Sequence, residues 1–407
     1  MMTIEKIRDK AKDWQSGAAK SITFIVTKDC QLACKYCYLV GKNTKERMPW
    51  EVAKQAIDYI LGHEADFPEE SVIWDFIGGE PFLEIDLIDR ICDYLKTEMY
   101  RLDHHWFNSY RFSFSTNGIN YHEDHVQRFI RKNREHLSIG ITIDGTEQKH
   151  DLNRVYKGTG RGSYRDVVRN IPLWLEQFPD AGTKVTISSA DIPYIKESVL
   201  HLYSLGIHEV NINCVFEDVW QPGDDKLFEN QLLELADAII DGGYYKDYAC
   251  SFFSEHLGKP MDCVLQNTNW CGAGRMLAVD AAGMFYPCTR FAQYSLRNKK
   301  AWIIGNIHDG IDKNKLRPFL TLDRCTQSSR ECIECEVAEG CAWCQGENYD
   351  AADTDTIFQR ATAICRMHKA RVRANNYYWN KLYRKLEVEG EREAYEENHL
   401  KSNPVIC

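Results

Sequence analysis

The chain has 407 residues, 44% of them hydrophobic and 27% charged, with a formal net charge of −10. That length holds about two to three domains with cores of their own, and the near-average composition excludes whole-chain disorder. The acidic balance argues against a nucleic-acid backbone as main partner, and no signal peptide or apolar stretch of membrane length is seen, so a cytoplasmic protein acting on small molecules or peptides is expected.

In chain order, Ser21 to Thr27 is β-branched and aromatic and is predicted to be a strand. It feeds the run Thr-Lys-Asp-Cys-Gln-Leu-Ala-Cys-Lys-Tyr-Cys-Tyr, which carries Cys30, Cys34 and Cys37. Ala53, Ala56, Ile57, Ile60 and Leu61 recur at helical spacing after Pro49. Val72 to Ile77 is predicted to be a buried strand ending in Gly78-Gly79-Glu80-Pro81, and Leu87, Ile88, Ile91 and Leu95 mark the next helix. A strand from Tyr110 to Ser115 ends in Thr116-Asn117-Gly118 and is followed by a short helix near Val126 to Ile130. A strand from Leu137 to Ile143 ends in Asp144-Gly145, and one helix is predicted from Tyr164 to Phe178. Lys184 to Ser188, a helix from Ile195 to Leu205 and Val210 to Phe216 complete six β/α units.

Repeated units of this kind make a parallel sheet with helices over its face, and chemistry collects beyond the carboxyl ends of the strands. The cysteine loop, Gly78-Gly79-Glu80-Pro81, Thr116-Asn117-Gly118 and Asp144-Gly145 all fall there. The expected organisation is an N-terminal helical extension (1–20), a barrel (21–222), a helical linker (223–259), a cysteine-rich domain (260–366) and a C-terminal helix (367–407).

Sixteen cysteines in a reducing compartment point to metal ligands more than to disulfides. Three thiolates in one short loop can each hold one iron of a cubane cluster, leaving the fourth iron without a protein ligand and open to substrate. Zinc is the alternative, but zinc ligands come as pairs with a second pair downstream, and none completes this loop. Nine cysteines then fall between Cys263 and Cys365, as expected of a small domain that needs metal ligands to be stable.

The loop of Cys30, Cys34 and Cys37 with Tyr36, followed one unit later by Gly78-Gly79-Glu80-Pro81, resembles the radical S-adenosylmethionine (SAM) enzymes. The resemblance implies a partial (β/α)6 TIM barrel of the radical SAM fold and a catalytic [4Fe–4S] cluster on those three cysteines. It further implies that Glu80, with Gly78 and the Gly79 backbone, holds the amino group of SAM and that Tyr36 lies beside the adenine. The stretches Thr142-Ile143-Asp144-Gly145, His150-Asp151-Leu152-Asn153-Arg154 and Gly160-Arg161-Gly162-Ser163-Tyr164 look like the peptide-modifying subgroup. There a Ser meets the ribose and an Arg the cofactor carboxylate, which assigns those roles to Thr142 and Arg154. Thr keeps the hydroxyl, and the Arg fork suits a carboxylate. Asp144 stands between a ribose or substrate contact and a turn-stabilising residue.

The second domain resembles the iron–sulfur SPASM extension of those enzymes, with Cys271, then Gly283 and Cys288, then Cys332, Cys335 and Cys341, and finally Cys365. Two residues separate Cys341 from Cys344 where the family usually has three. By resemblance Cys332, Cys335, Cys341 and Cys365 close one auxiliary [4Fe–4S] cluster, and Cys271, Cys288 and Cys344 bind another, with Cys263 as fourth ligand or Cys325 as a weaker substitute. That makes three clusters in all. Cys92, Cys214, Cys250 and Cys407 are read as buried or incidental thiols.

The function implied is a maturase that uses a 5′-deoxyadenosyl radical to crosslink a ribosomally made precursor peptide oxidatively, joining a Cys sulfur to carbon in a thioether. Its partners would be that peptide and an electron donor such as ferredoxin or flavodoxin, with no nucleic acid and no membrane. The nearest alternative is the anaerobic sulfatase-maturating, formylglycine-generating type. In that group the residue after the counterpart of Cys288 is an Asp acting as base, and here it is Thr289. A non-catalytic electron carrier or peptide-binding scaffold is the other. Only 29 residues precede Cys30, too few for a packed leader-recognition domain.

Overall fold

A computed structural model describes residues 19–255, 257–261, 271–341 and 343–396. Most of the expected N-terminal helical extension, Cys263, Cys407 and the end of the C-terminal helix lie outside the described residues.

Four parallel strands, β1 (Lys20–Thr27), β2 (Val72–Gly78), β3 (Tyr110–Thr116) and β4 (Leu137–Ile141), pair in sequence order. Their register explains the period-two pattern in the sequence. Phe24, Phe76, Phe114 and Ile139 form one cross-strand row, and the first three rings follow one another at 6.0 and 5.1 Å. The neighbouring row on the opposite face is polar: Thr23, Asp75, Ser113 and Ser138. The aromatic face is closed by the helices Trp50–Gly62 and Ile85–Arg101, which bury Ala53, Ala56, Ile57 and Ile60, and Ile88, Ile91 and Leu95.

β5 (Thr183–Ile187), β6 (Glu209–Cys214) and β7 (Ala249–Cys250) are also parallel, but they form a separate three-stranded sheet. Between β4 and β5 a side chain replaces the backbone ladder. The Thr183 hydroxyl donates to the Ile141 carbonyl at 2.7 Å and accepts from the Ile143 amide at 3.1 Å. The helix expected from Tyr164 to Phe178 is two helices, Tyr164–Val168 and Ile171–Gln177. Pro172, near the start of the second, has no amide to give to the preceding turn, and the Asn170 carboxamide bonds the Gly118 carbonyl instead.

The other edge of β1 takes a strand that the sequence did not announce. β8 (Leu277–Val279) pairs parallel to β1, and β9 (Met284–Tyr286), β10 (Gly305–Asn306) and β11 (Gly310–Ile311) continue as an antiparallel meander. The cysteine-bearing extension is thereby fused to the barrel sheet, giving a mixed eight-stranded order β11-β10-β9-β8-β1-β2-β3-β4. The final helix, Cys365–Glu389, runs along the helix Asp224–Asp241, with Arg373 on Glu229 and Lys381 on Asp237 and its apolar residues Leu382 and Leu386 buried. Among the described residues no helix is long and apolar enough to cross a membrane.

Candidate radical and auxiliary sites

The loop after β1 is fixed by its own backbone and by a second loop. The Asp29 amide donates to the Thr27 hydroxyl and the Cys30 amide to the Asp29 carboxylate. The amides of Ala33 and Lys35 then bond the carbonyls of Val155 and Asn153, and the Lys157 amide bonds that of Gln31. This lacing sets Arg154 against the cysteines. It also explains why two motifs more than a hundred residues apart act as one.

Gly78 and Gly79 are required by the cysteine loop itself. A Cβ on Gly78 would come within 2.3 Å of the Thr27 carbonyl oxygen, and one on Gly79 within 2.1 Å of the Asp29 carbonyl oxygen and 2.9 Å of the Cys30 Cβ. The amides of Gly79 and Glu80 close the contact by donating to Thr27 and Asp29. Glu80 is buried and accepts from the Thr116 hydroxyl (2.6 Å) and the amides of Asn117 (2.7 Å) and Phe82 (3.1 Å). Burial pushes its pKa up, and these donors pull against that. Asn117, for which the sequence indicated position but no role, donates to Gln31 and reaches the Cys30 sulfur at 3.9 Å.

Asp144 is wholly buried at the end of β4. It accepts from the Tyr36 hydroxyl and from the Thr186 amide, and Lys149 lies 3.9 Å away. Burial opposes its charge, but Lys149 and Arg154 outweigh burial and hold its pKa below the ordinary carboxylate value. Arg154 donates from Nη1 to the Tyr36 oxygen at 3.0 Å, while its Nε is buried without a partner. An unpartnered guanidinium N–H beside the cysteine loop fits a carboxylate ligand such as the methionyl end of SAM. Thr142 is half-buried, its amide tied to the Thr116 carbonyl. Lys149 itself escaped sequence reasoning. It reads as an ordinary helix lysine, yet it is fully buried, bonded to the Thr186 carbonyl at 2.8 Å and paired with Asp191 at 3.6 Å.

In the extension, Cys332, Cys335, Cys341 and Cys365 line a cavity of about 140 Å3 together with Arg360, His368 and Lys369. Burial drives the Cys341 thiol up to about 11, with Arg360 opposing. Next to these sulfurs, Trp343 lies between Arg360 and Arg324, and Trp343 Nε1, Arg324 Nε and Arg360 Nη2 are buried donors without acceptors. An all-sulfur donor set ringed by cations and free N–H groups fits an anionic iron–sulfur cluster. Cys271, Cys288 and Cys344 also come together. Cys271 accepts from the Gln345 amide at 3.4 Å and Cys344 from Arg290 Nε at 3.5 Å. Cys325 is disulfide-bonded and is therefore not one of the free thiols.

Sulfurs around one tetrahedral zinc stand about 3.8 Å apart, given Zn–S bonds near 2.3 Å. Among the described residues, none of these cysteine sets has three sulfurs within 4.8 Å of one another. Glu64, His104 and His105 do converge that closely, ahead of β2 and β3 at the opposite end of the strands. There His104 Nδ1 accepts from the Trp106 amide, which leaves the proton on Nε2, the atom that would face an ion.

Residues 24–202 match the model of the Radical SAM superfamily. The uncharacterized protein MJ0907 of Methanocaldococcus jannaschii is 28% identical over 196 residues, which are 48% of this chain and 63% of that protein. A cysteine-type anaerobic sulfatase-maturating enzyme of Clostridium novyi is 26% identical over 160 residues, 38% of this chain and 40% of its own. The chain thus spans less than two thirds of either relative. The structure of anSMEcpe with bound AdoMet superposes with a TM-score of 0.64 at 17% identity, covering 89% of this chain and 99% of that one. That of Streptococcus suis SuiB bound to precursor peptide SuiA gives 0.57 at 13%, covering 89% and 80%. The chain thus has an α/β fold of radical SAM type, matched over residues 24–202, continued by a cysteine-bearing extension laid out like the SPASM architecture of those structures.

Proposed function

We propose that this protein is a radical SAM oxidoreductase that acts on a peptide or protein side chain, with three iron–sulfur clusters and SAM as cofactors. The observation that carries the reading is the lacing of Cys30, Cys34 and Cys37 to Arg154, whose buried Nε lacks a partner. With cluster and SAM bound, the centre supplies a carbon radical able to take hydrogen from a C–H bond. The chain's own part is positional. Cys30, Cys34 and Cys37 hold the catalytic iron, Arg154 takes the cofactor carboxylate, Glu80 with the Gly79 backbone takes its amino group, and Thr142 faces the ribose. Asp144 and Arg154 fix Tyr36 through its hydroxyl, which sets the ring for the adenine.

Two finer readings divide on separate observations. The comparisons favour the sulfatase-maturating type, since anSMEcpe has been seen with a Cp18Cys peptide and the Clostridium novyi relative carries that activity in its name. Thr289 counts against that type, since it stands beside Tyr38 where the sulfatase-maturating enzymes need a carboxylate base, and leaves a thioether-forming maturase as the second reading. Incubation of reduced, anaerobically reconstituted protein with SAM and Cys- or Ser-containing peptides, read by mass spectrometry, separates them. An aldehyde supports formylglycine formation, and loss of two hydrogens with a masked thiol supports a crosslink. Formation of neither, with no 5′-deoxyadenosine produced, overturns both.

A further inference from the structure

One side chain touches three parts of the molecule that the chemistry must connect. Arg290 follows Cys288 by two residues and is largely buried, its Nη1 3.1 Å from Glu217, just beyond β6. Its Nη2 lies 3.8 Å from Glu347 in the extension. Its guanidinium carbon lies 4.6 Å from the ring centre of Tyr38, the residue after Cys37, and its Nε donates to the Cys344 sulfur at 3.5 Å. Two carboxylates and a ring face therefore fix the plane of the guanidinium, and that plane aims Nε at the sulfur. Arg297, paired with Glu217, Glu347 and Asp350, keeps both carboxylates in place. Gly346 is there to let Arg290 in, because a Cβ at that position would stand 2.3 Å from the Arg290 Cβ.

A hydrogen bond to a ligating thiolate, and a positive charge beside it, stabilise the more negative, reduced state of an iron–sulfur cluster. We infer that Arg290 is a positioning residue that would raise the reduction potential of a cluster held by Cys271, Cys288 and Cys344. This rests on the proposed function and extends it: loss of two hydrogens from the substrate would send one hydrogen atom to the cofactor-derived radical, one proton to water and one electron to a cluster held here, which that electron would reduce. A higher potential makes it the better acceptor.

The test is an EPR-monitored redox titration of the full, anaerobically reconstituted chain. Arg290→Gln lowers the midpoint of one auxiliary cluster, Arg290→Lys lowers it less because the charge remains, and the cluster on Cys332, Cys335, Cys341 and Cys365 keeps its midpoint. Gly346→Ala moves it in the same direction with Arg290 still present, and it decides the matter if Arg290→Gln fails to hold iron. Unchanged midpoints in Arg290→Lys and Gly346→Ala, with full iron content, overturn the inference and leave the cluster assignment standing. Equal iron content in wild type and Cys288→Ala overturns the assignment and the inference with it.

Discussion

At the barrel mouth, the cysteines sit on a loop whose amides bond the carbonyls of Asn153 and Val155 and whose carbonyls accept from the end of β2, whereas in the extension the sulfurs are gathered with little regular structure to hold them. Strands there run two or three residues, and helices such as Arg324–Gln327 and Arg330–Ile333 only four. Side chains do the bonding instead. Asp350 accepts from the amides of Arg297, Asn298 and Lys299, Gln327 and Gln345 pair in the interior, and Asp323 and Ser329 cap the short helices. A scaffold of the first kind survives loss of its metal, and one of the second kind depends on it.

The largest expected effect breaks function at the mouth without breaking the fold. Cys30→Ala removes one of the three proposed iron ligands from a loop that its backbone bonds still hold. Production of 5′-deoxyadenosine falls to the background of SAM alone, with far-UV circular dichroism and melting of the barrel unchanged. Residual cleavage at the wild-type rate would remove Cys30 from the catalytic set.

Cys341→Ala is the counterpart in the extension, and it is expected to break structure. A structural metal can supply on the order of 10 kcal/mol of folding free energy in a small domain, more than such a core supplies alone. Differential scanning calorimetry of the variant, or of wild type treated with an iron chelator, should show a low-temperature transition absent from the loaded protein. A single unchanged transition would mean that the ionic network suffices.

Arg154→Lys sharpens the mouth side. Lys keeps the charge but loses the planar fork and the bond to Tyr36, a loss of about 1.5–3 kcal/mol for a charged hydrogen bond, so SAM should bind about 10- to 100-fold more weakly. Equilibrium binding to the reconstituted protein measures it, and wild-type affinity would show that another group holds the carboxylate.

The same contrast decides how much was legible beforehand. The β/α series could be read because alternating rows such as Phe24, Phe76 and Phe114 against Thr23, Asp75 and Ser113 leave a period-two trace. The loop motifs could be read because each lies at a strand end. The strand from Leu277 to Val279 could not, since three residues carry no period and its partner is β1, some 250 residues earlier in the chain. Lys149 and Arg290 were missed for a related reason. A charged residue looks solvent-exposed in sequence, and only tertiary partners such as Asp144, Asp191, Glu217 and Cys344 reveal burial. That Gly78 and Gly79 admit the cysteine loop's own backbone is likewise visible only in the folded chain.

The smallest effect tests the support behind the mouth. His150 is fully buried, accepts from the Asp144 amide at Nδ1, and faces the Ser163 hydroxyl at Nε2, while that hydroxyl bonds the Arg154 carbonyl. A neutral ring with its proton on Nε2 satisfies every partner, whereas a second proton on Nδ1 would confront the amide. Burial, reinforced by the adjacent Arg154, accordingly lowers its pKa to about 3. The unfolded chain titrates near 6.5, so between these values the unfolded state binds the extra proton, and stability is lost as pH falls below about 6.5. At pH 5 the loss amounts to about 2 kcal/mol. Urea unfolding at pH 7.5 and 5 should show that difference in wild type and a smaller one in His150→Gln, whose carboxamide can accept from Asp144 and donate to Ser163 without titrating. An equal pH dependence in both would assign the acid sensitivity to groups outside the mouth, and His150 would then have no part in holding Asp144 and Arg154 in register.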